Sequence, residues 1–158
     1  MKRQYLKFFT SLILVVVCSI CLSGCGKTNP YKEKSKHLVK PTDELSIEYS
    51  CHVLYDQNVE VTLKNNSNVP LDFDGQYVLE YKYKEEWYTV PFVEGYAFMG
   101  SGETILPGHD SIHTYDLQIS NGQIVPGTYR IVQVLLVHES DDLYSEATRY
   151  RIACEFEI

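Results

Sequence analysis

The sequence predicts an all-β protein whose main part folds as an antiparallel β-sandwich of about seven strands. Beyond Leu45, apolar and polar residues alternate with a period of two. Clusters of turn residues separate the apolar runs at the spacing of a sandwich, and no stretch there is convincingly helical. Each predicted strand therefore has one apolar face, and two antiparallel sheets packed face to face would bury these faces.

The first two strands form a predicted hairpin. Apolar residues occupy every second position from Ile47 to Tyr55 and from Val59 to Leu63, with Asp56-Gln57-Asn58 between them. A run of Asn and Ser, whose side chains bond their own backbone, ends the second strand at residues 65–68. Further strands are predicted at residues 77–84, 87–90, 111–119, 128–138 and 148–158.

The N-terminal 24 residues resemble a lipoprotein signal peptide. A basic start is followed by fifteen uncharged, mostly apolar residues from Phe8 to Leu22, which is shorter than the roughly 20 residues of a transmembrane helix. Leu22-Ser23-Gly24-Cys25 looks like a lipobox, so we expect cleavage before Cys25 and diacylglycerol on its sulfur. Cys21 is the poorer acceptor, because bulky Ile20 precedes it.

The predicted organisation is a signal peptide at residues 1–24, the lipidated cysteine with a flexible basic tether at 25–44, and one domain at 45–158. Residues 26–40 hold five lysines and one glutamate, whereas from Pro41 onward there are six Lys and Arg against twenty Asp and Glu. So acidic a domain makes nucleic acid an improbable partner. The tether either lies against an anionic membrane surface or is a solvated linker.

Five short motifs in this order resemble the bacterial immunoglobulin-like domains at the C-terminal end of many Gram-positive lipoproteins. They are Val61-Thr62-Leu63-Lys64-Asn65-Asn66-Ser67, Leu79-Glu80 with Trp87-Tyr88, Leu106-Pro107-Gly108, Pro126-Gly127-Thr128-Tyr129-Arg130-Ile131 and Phe156-Glu157-Ile158. The resemblance covers residues 45–158 and implies an immunoglobulin-like sandwich with an extracytoplasmic, non-catalytic role. It implies no ligand.

Two aromatic residues are expected to have structural roles. Tyr129 follows a Pro-Gly turn at the start of a strand and looks like a tyrosine corner, in which the hydroxyl bonds an upstream backbone group. With a turn at Glu85-Glu86, Trp87 would point into the core and Tyr88 would be exposed.

Cys51 and Cys154 both fall on apolar strand faces and should point inward. Outside the cytoplasm they could form a disulfide, and the alternative is two buried free thiols packed as small hydrophobic groups. The choice depends on a Cα separation below about 7 Å, which sequence spacing does not supply.

We predict no catalytic residue, metal site or cofactor. His109 and His113 are four apart, but in a strand that spacing corresponds to about 13 Å, too far for one zinc ion without further ligands. The acidic pairs at Asp72–Asp74 and Asp141–Asp142 lack the spacing of an EF-hand. No nucleophile elbow or phosphate-binding glycine loop is present.

The expected function is therefore binding, adhesion or scaffolding on the outer face of the cell membrane. The partners would be the membrane, through the N-terminal lipid, and an unidentified envelope protein, glycan or peptide. The alternative is an extracytoplasmic protease inhibitor or ligand sensor that presents the segment from Phe92 to Glu103.

Overall fold

The computed structural model describes residues 28–55, 57–100 and 102–158. The predicted signal peptide and Cys25 lie outside these ranges. A 3₁₀ turn at Asp43–Leu45 precedes the first strand. The remaining elements are β1 (Ile47–Val53), β2 (Asn58–Asn65), β3 (Leu71–Tyr83), β4 (Glu86–Thr89), β5 (Glu103–Ile105), β6 (Asp110–Asp116), α1 (Leu117–Asn121), β7 (Thr128–His138) and β8 (Ala147–Glu157). No helix in the described ranges is long and apolar enough to cross a membrane.

Two antiparallel sheets confirm the predicted sandwich. One has three strands in the order β1-β2-β6, and the other has the order β4-β3-β7-β8, with β5 also paired to β3. Alternate residues of the strands point between the sheets and are almost fully buried, among them Val61, Leu79, Tyr129 and Ile152. The period-two pattern of the sequence therefore corresponds to burial against the opposite sheet.

β3 begins at Leu71, earlier than the predicted start at Tyr77. Its pairing with β7 shifts register between Phe73 and Tyr77, and Gly75 in this bulge has a φ of +71°, which favours glycine. The bulge adds two residues to β3, so the buried side chains before and after it keep the same parity. The first part of this strand was missed because Asp74-Gly75-Gln76 resembles a turn.

The predicted strand at 111–119 ends at Asp116, and residues 117–121 form α1 instead. The Asp116 carboxylate caps this helix by accepting a hydrogen bond of 2.9 Å from the Ile119 N–H. Leu117 is fully buried, so the helix adds a residue to the core while ending the strand.

One open side of the sandwich is closed by a covalent bond. Cys51 in the edge strand β1 and Cys154 in the edge strand β8 form a disulfide, with their Cα atoms 5.7 Å apart. Because β1 and β8 belong to different sheets, the disulfide joins the sheets directly. Of the two alternatives left open by the sequence, the structure has the disulfide.

The opposite side is closed by the segment between β4 and β5. Its residues Phe92 and Phe98 pack edge-on against Tyr77 of β3, with ring centroids 5.6 and 5.2 Å away. The Asn121 side chain at the end of α1 donates a hydrogen bond of 3.1 Å to the Pro91 carbonyl. Residues 96–99 form no strand, and because its aromatic rings fill this side of the sandwich we call the segment the aromatic plug.

The compact unit containing the sandwich starts at Tyr31, well before the domain start predicted at Leu45. We call residues 31–40 the N-terminal strap. Its Ser35 N–H donates to the Trp87 carbonyl and its Glu33 carbonyl accepts from the Thr89 N–H, both at 2.8 Å, so the strap adds to the free edge of β4. Lys40 then donates to the Arg151 carbonyl of β8 at 2.7 Å. This part of the predicted flexible tether is thus bonded to the domain, because unpaired backbone groups at the sheet edges accept it.

The disulfide should contribute strongly to stability. Replacing both cysteines (C51A/C154A) should lower the free energy of unfolding by about 2 to 5 kcal/mol, because a loop of 103 residues is no longer closed in the unfolded chain. Urea unfolding with and without dithiothreitol measures this. The reductant should shift the midpoint of the natural protein and leave that of the variant unchanged; an unshifted natural protein would contradict the prediction.

Candidate functional site

The outer face of the five-stranded sheet carries a buried ion pair. Glu80 of β3 is fully buried, although its neighbours Leu79 and Tyr81 point into the core on the other face. Nε and Nη2 of Arg130, on β7, each lie 2.6 Å from Glu80 Oε2. The Trp87 ring covers the guanidinium, with its centroid 4.3 Å from Arg130 Cζ. A buried carboxylate is tolerated only with such partners.

The N-terminal strap supplies the other bonds to this carboxylate. Ser35 Oγ donates to Glu80 Oε1, and His37 Nδ1 lies 2.7 Å from the same oxygen. Both Glu80 oxygens therefore have partners, one from β7 and the other from the strap. The strap passes from β4 over Glu80 to β8 and divides the outer face into a covered and an open part.

The predicted orientations of Trp87 and Tyr88 are wrong. The turn is Lys84-Glu85, with Lys84 at a φ of +57°, rather than Glu85-Glu86. Trp87 therefore pairs with Lys82 on the outer face, and Tyr88 pairs with Tyr81 on the core side and is half-buried. A turn misplaced by one residue reverses every side chain of the following strand.

Tyr129 lies in the core and makes the contact of a tyrosine corner. Its ring is fully buried, and its hydroxyl donates a hydrogen bond of 2.5 Å to the Val125 carbonyl, four residues upstream. The hydroxyl of Tyr31, from the strap, lies 3.4 Å from that of Tyr129. Burial raises the pKa of the Tyr129 phenol, so it remains a neutral donor at physiological pH.

The open part of the outer face contains a groove of about 420 Å³. We call it the outer-face groove; its lining includes Asp72, Asp74, Thr104, Val134, Leu136 and Arg149. A smaller recess of about 140 Å³ continues toward the strap and adds His37, Val78, Val132 and Arg151. Asp72 and Asp74, which lack the spacing of an EF-hand, thus line a groove that was not predicted. Its one signal in the sequence is the pair of arginines at alternate positions of β8.

The charged groups along the groove differ in how fully they are bonded. Asp72 accepts from the Thr104 hydroxyl at 2.7 Å and lies 2.9 Å from His138 Nε2. Arg149 and Arg151 are exposed and, within the described ranges, have no side-chain hydrogen bond or carboxylate within 4.0 Å. The groove therefore offers guanidinium donors that no described protein group uses.

The two histidines considered as metal ligands face different partners. His109 Nδ1 lies 3.1 Å from the Pro107 carbonyl oxygen, whereas His113 Nε2 lies 2.7 Å from Glu103 Oε1. Across residues 28–55, 57–100 and 102–158, no three His, Cys, Asp or Glu side chains converge as metal ligands.

The buried ion pair should be sensitive to the loss of one partner. Glu80→Ala should lower the free energy of unfolding by about 3 to 5 kcal/mol, because Arg130 keeps its charge without its carboxylate. Glu86→Ala, which breaks the exposed pair with Lys34, is the matched control and should lower the stability far less, because water screens that pair. Urea unfolding compares the two; equal losses would show that Glu80 is no more important than a surface carboxylate.

Comparison with solved structures gives distant similarity alone. One match is a crystal structure of a protein from Archaeoglobus fulgidus, with 16% sequence identity and a TM-score of 0.27. The alignment covers 72% of this chain and 95% of that one, and at this TM-score the likeness carries no weight. A comparison with curated proteins gives no match.

A family model provides the informative match. The model described as a bacterial Ig-like domain matches residues 42–157, which include strands β1 to β8 and the disulfide. The matched range also contains the outer-face groove and the buried pair of Glu80 and Arg130. The chain belongs to the bacterial Ig-like domain family.

Proposed function

We propose that this protein is a lipid-anchored binding module that presents an Ig-like domain on the outer face of the cell membrane. Membership of the family indicates an extracellular adhesion or scaffolding domain, and the family is typically non-enzymatic. The observation that carries the location is the disulfide between Cys51 and Cys154, since such bonds persist outside the reducing cytoplasm. The anchor is supported by the lipobox-like Leu22-Ser23-Gly24-Cys25.

The architecture suits presentation of a binding surface. The disulfide and the aromatic plug close the two sides of the sandwich, so the sheets are held together at both edges. Binding groups on a strand face are positioned more firmly than groups on a free loop. The outer-face groove is such a surface, because strands β3, β7 and β8 form most of it.

A protease inhibitor is the second candidate. Phe92, Tyr96 and Phe98 pack on one another at the base of the segment between β4 and β5, with ring centroids 5.2 to 5.4 Å apart. Met99, next to this base, is 99% exposed. A protease inhibitor presents an exposed side chain on a loop whose base is packed, and Met99 has this arrangement. Inhibition of a protease by the purified protein would favour this candidate.

The lipid anchor is tested by metabolic labelling with an alkyne analogue of palmitate, followed by intact-mass analysis. The natural protein should incorporate the label, with a mass for residues 25–158 plus diacylglycerol. Cys25→Ser should abolish incorporation, and the matched variant Cys21→Ser should retain it. A label that survives Cys25→Ser, or a chain of unmodified mass, would contradict the proposal.

A further inference from the structure

One row of side chains across the outer-face groove consists of a carboxylate, an apolar group and a guanidinium group. Asp72 of β3 is the register partner of Leu136 in β7, and Leu136 is in turn the register partner of Arg149 in β8. Side chains of register partners stand on the same face of a sheet. The Asp72 carboxylate and the Arg149 guanidinium group are therefore held on opposite sides of the apolar Leu136 side chain.

A second position repeats this arrangement nearer the strap. Val134 is the register partner of Arg151, and Asp74 lies on the β3 side of the same groove. Asp74 accepts one backbone bond, from the Gln76 N–H at 2.9 Å. The groove and its adjoining recess thus have two carboxylates along β3, two guanidinium groups along β8 without a described partner, and Val134 and Leu136 between them.

The separation of these charges limits the size of a ligand. β3 and β8 flank β7, so their backbones are two strand spacings apart, about 9.5 Å. Three extended residues span about 10 Å. A volume of about 420 Å³ also falls within the range of small-ligand pockets.

The net charge of the domain favours a ligand with both signs of charge. From Pro41 onward the chain has twenty acidic against six basic residues, so a polyanion would be repelled by most of the surface. A zwitterion has no net charge to be repelled. Its carboxylate matches the planar fork of an arginine, which binds carboxylates through two parallel hydrogen bonds.

We propose that the outer-face groove binds a short zwitterionic peptide of about three residues. Its carboxylate binds Arg149 and Arg151, its amino group binds the carboxylates of Asp72 and Asp74, and an apolar side chain lies on Val134 and Leu136. This ligand class deepens the proposed binding function and rests on it.

Isothermal titration of the full-length protein in detergent tests the assignment, with the peptide Ala-Leu-Ala as the probe. The free peptide should bind, and amidating its carboxylate or acetylating its amino group should each weaken binding by about tenfold or more. Arg149→Gln and Arg151→Gln should weaken binding of the free peptide similarly. Lys84→Gln removes the same charge from the exposed turn after β3 and should change the affinity by less than about twofold.

Absence of binding at millimolar peptide, or equal binding of the free and amidated peptides, would overturn the proposal. The proposal would also be wrong if a uronic-acid trisaccharide bound through Arg149 and Arg151 while the peptide did not bind. None of these results bears on the lipid anchor, which is read from the label on Cys25. Circular dichroism of each variant shows that a loss of binding is not a loss of fold.

Discussion

The buried carboxylate of Glu80 is the interaction on which the arrangement of the outer face depends. A charge removed from water costs several kcal/mol unless other groups replace its hydration. Here Arg130 supplies the opposite charge, and Ser35 and His37 supply the remaining polar contacts. Because two of these partners come from the N-terminal strap, the contacts of the domain extend to residues that lie before its first strand.

The same contacts explain why part of the outer face stays open. The strap needs to reach Glu80 and then the edge of β8, where Lys40 bonds the Arg151 carbonyl. None of the described residues crosses the outer face beyond that path, toward β5, and the outer-face groove lies there. The contacts of the strap and the proposed binding surface thus occupy neighbouring parts of one sheet, with His37 at the boundary between them.

Periodicity predicted the sandwich and most strands because burial between two sheets leaves a period-two pattern in each strand. It failed where the backbone departs from regular strand geometry. The bulge at Gly75 concealed the start of β3, the Asp116 cap turned the end of a strand into a helix, and the positive φ of Lys84 moved a turn by one residue. Lysine rarely adopts a positive φ, so the local sequence favoured a turn at Glu85-Glu86 over the observed turn at Lys84-Glu85.

The strap and the groove depend on strand order, which local patterns do not contain. Ser35 and His37 lie in a polar, lysine-rich stretch that is typical of a linker, and their partner Glu80 is 45 and 43 residues away. Arg149 and Arg151 face a groove because β8 lies beside β7 and two strands from the acids of β3. The disulfide was foreseen as one of two alternatives, since both cysteines are on apolar faces, and the lipid on Cys25 stays a prediction from the lipobox-like motif.

Hydrogen exchange of individual backbone amides in the native protein tests most directly whether the strap is part of the fold. The amides of Ser35 and Lys40 donate to Trp87 and Arg151, and the Thr89 amide donates back to Glu33. These three amides should exchange far more slowly than in an unfolded chain, at rates that Glu80→Ala increases. Exchange of Ser35 and Lys40 at unfolded-chain rates, while β7 and β8 remain protected, would show that the strap is a free tether and contradict the account.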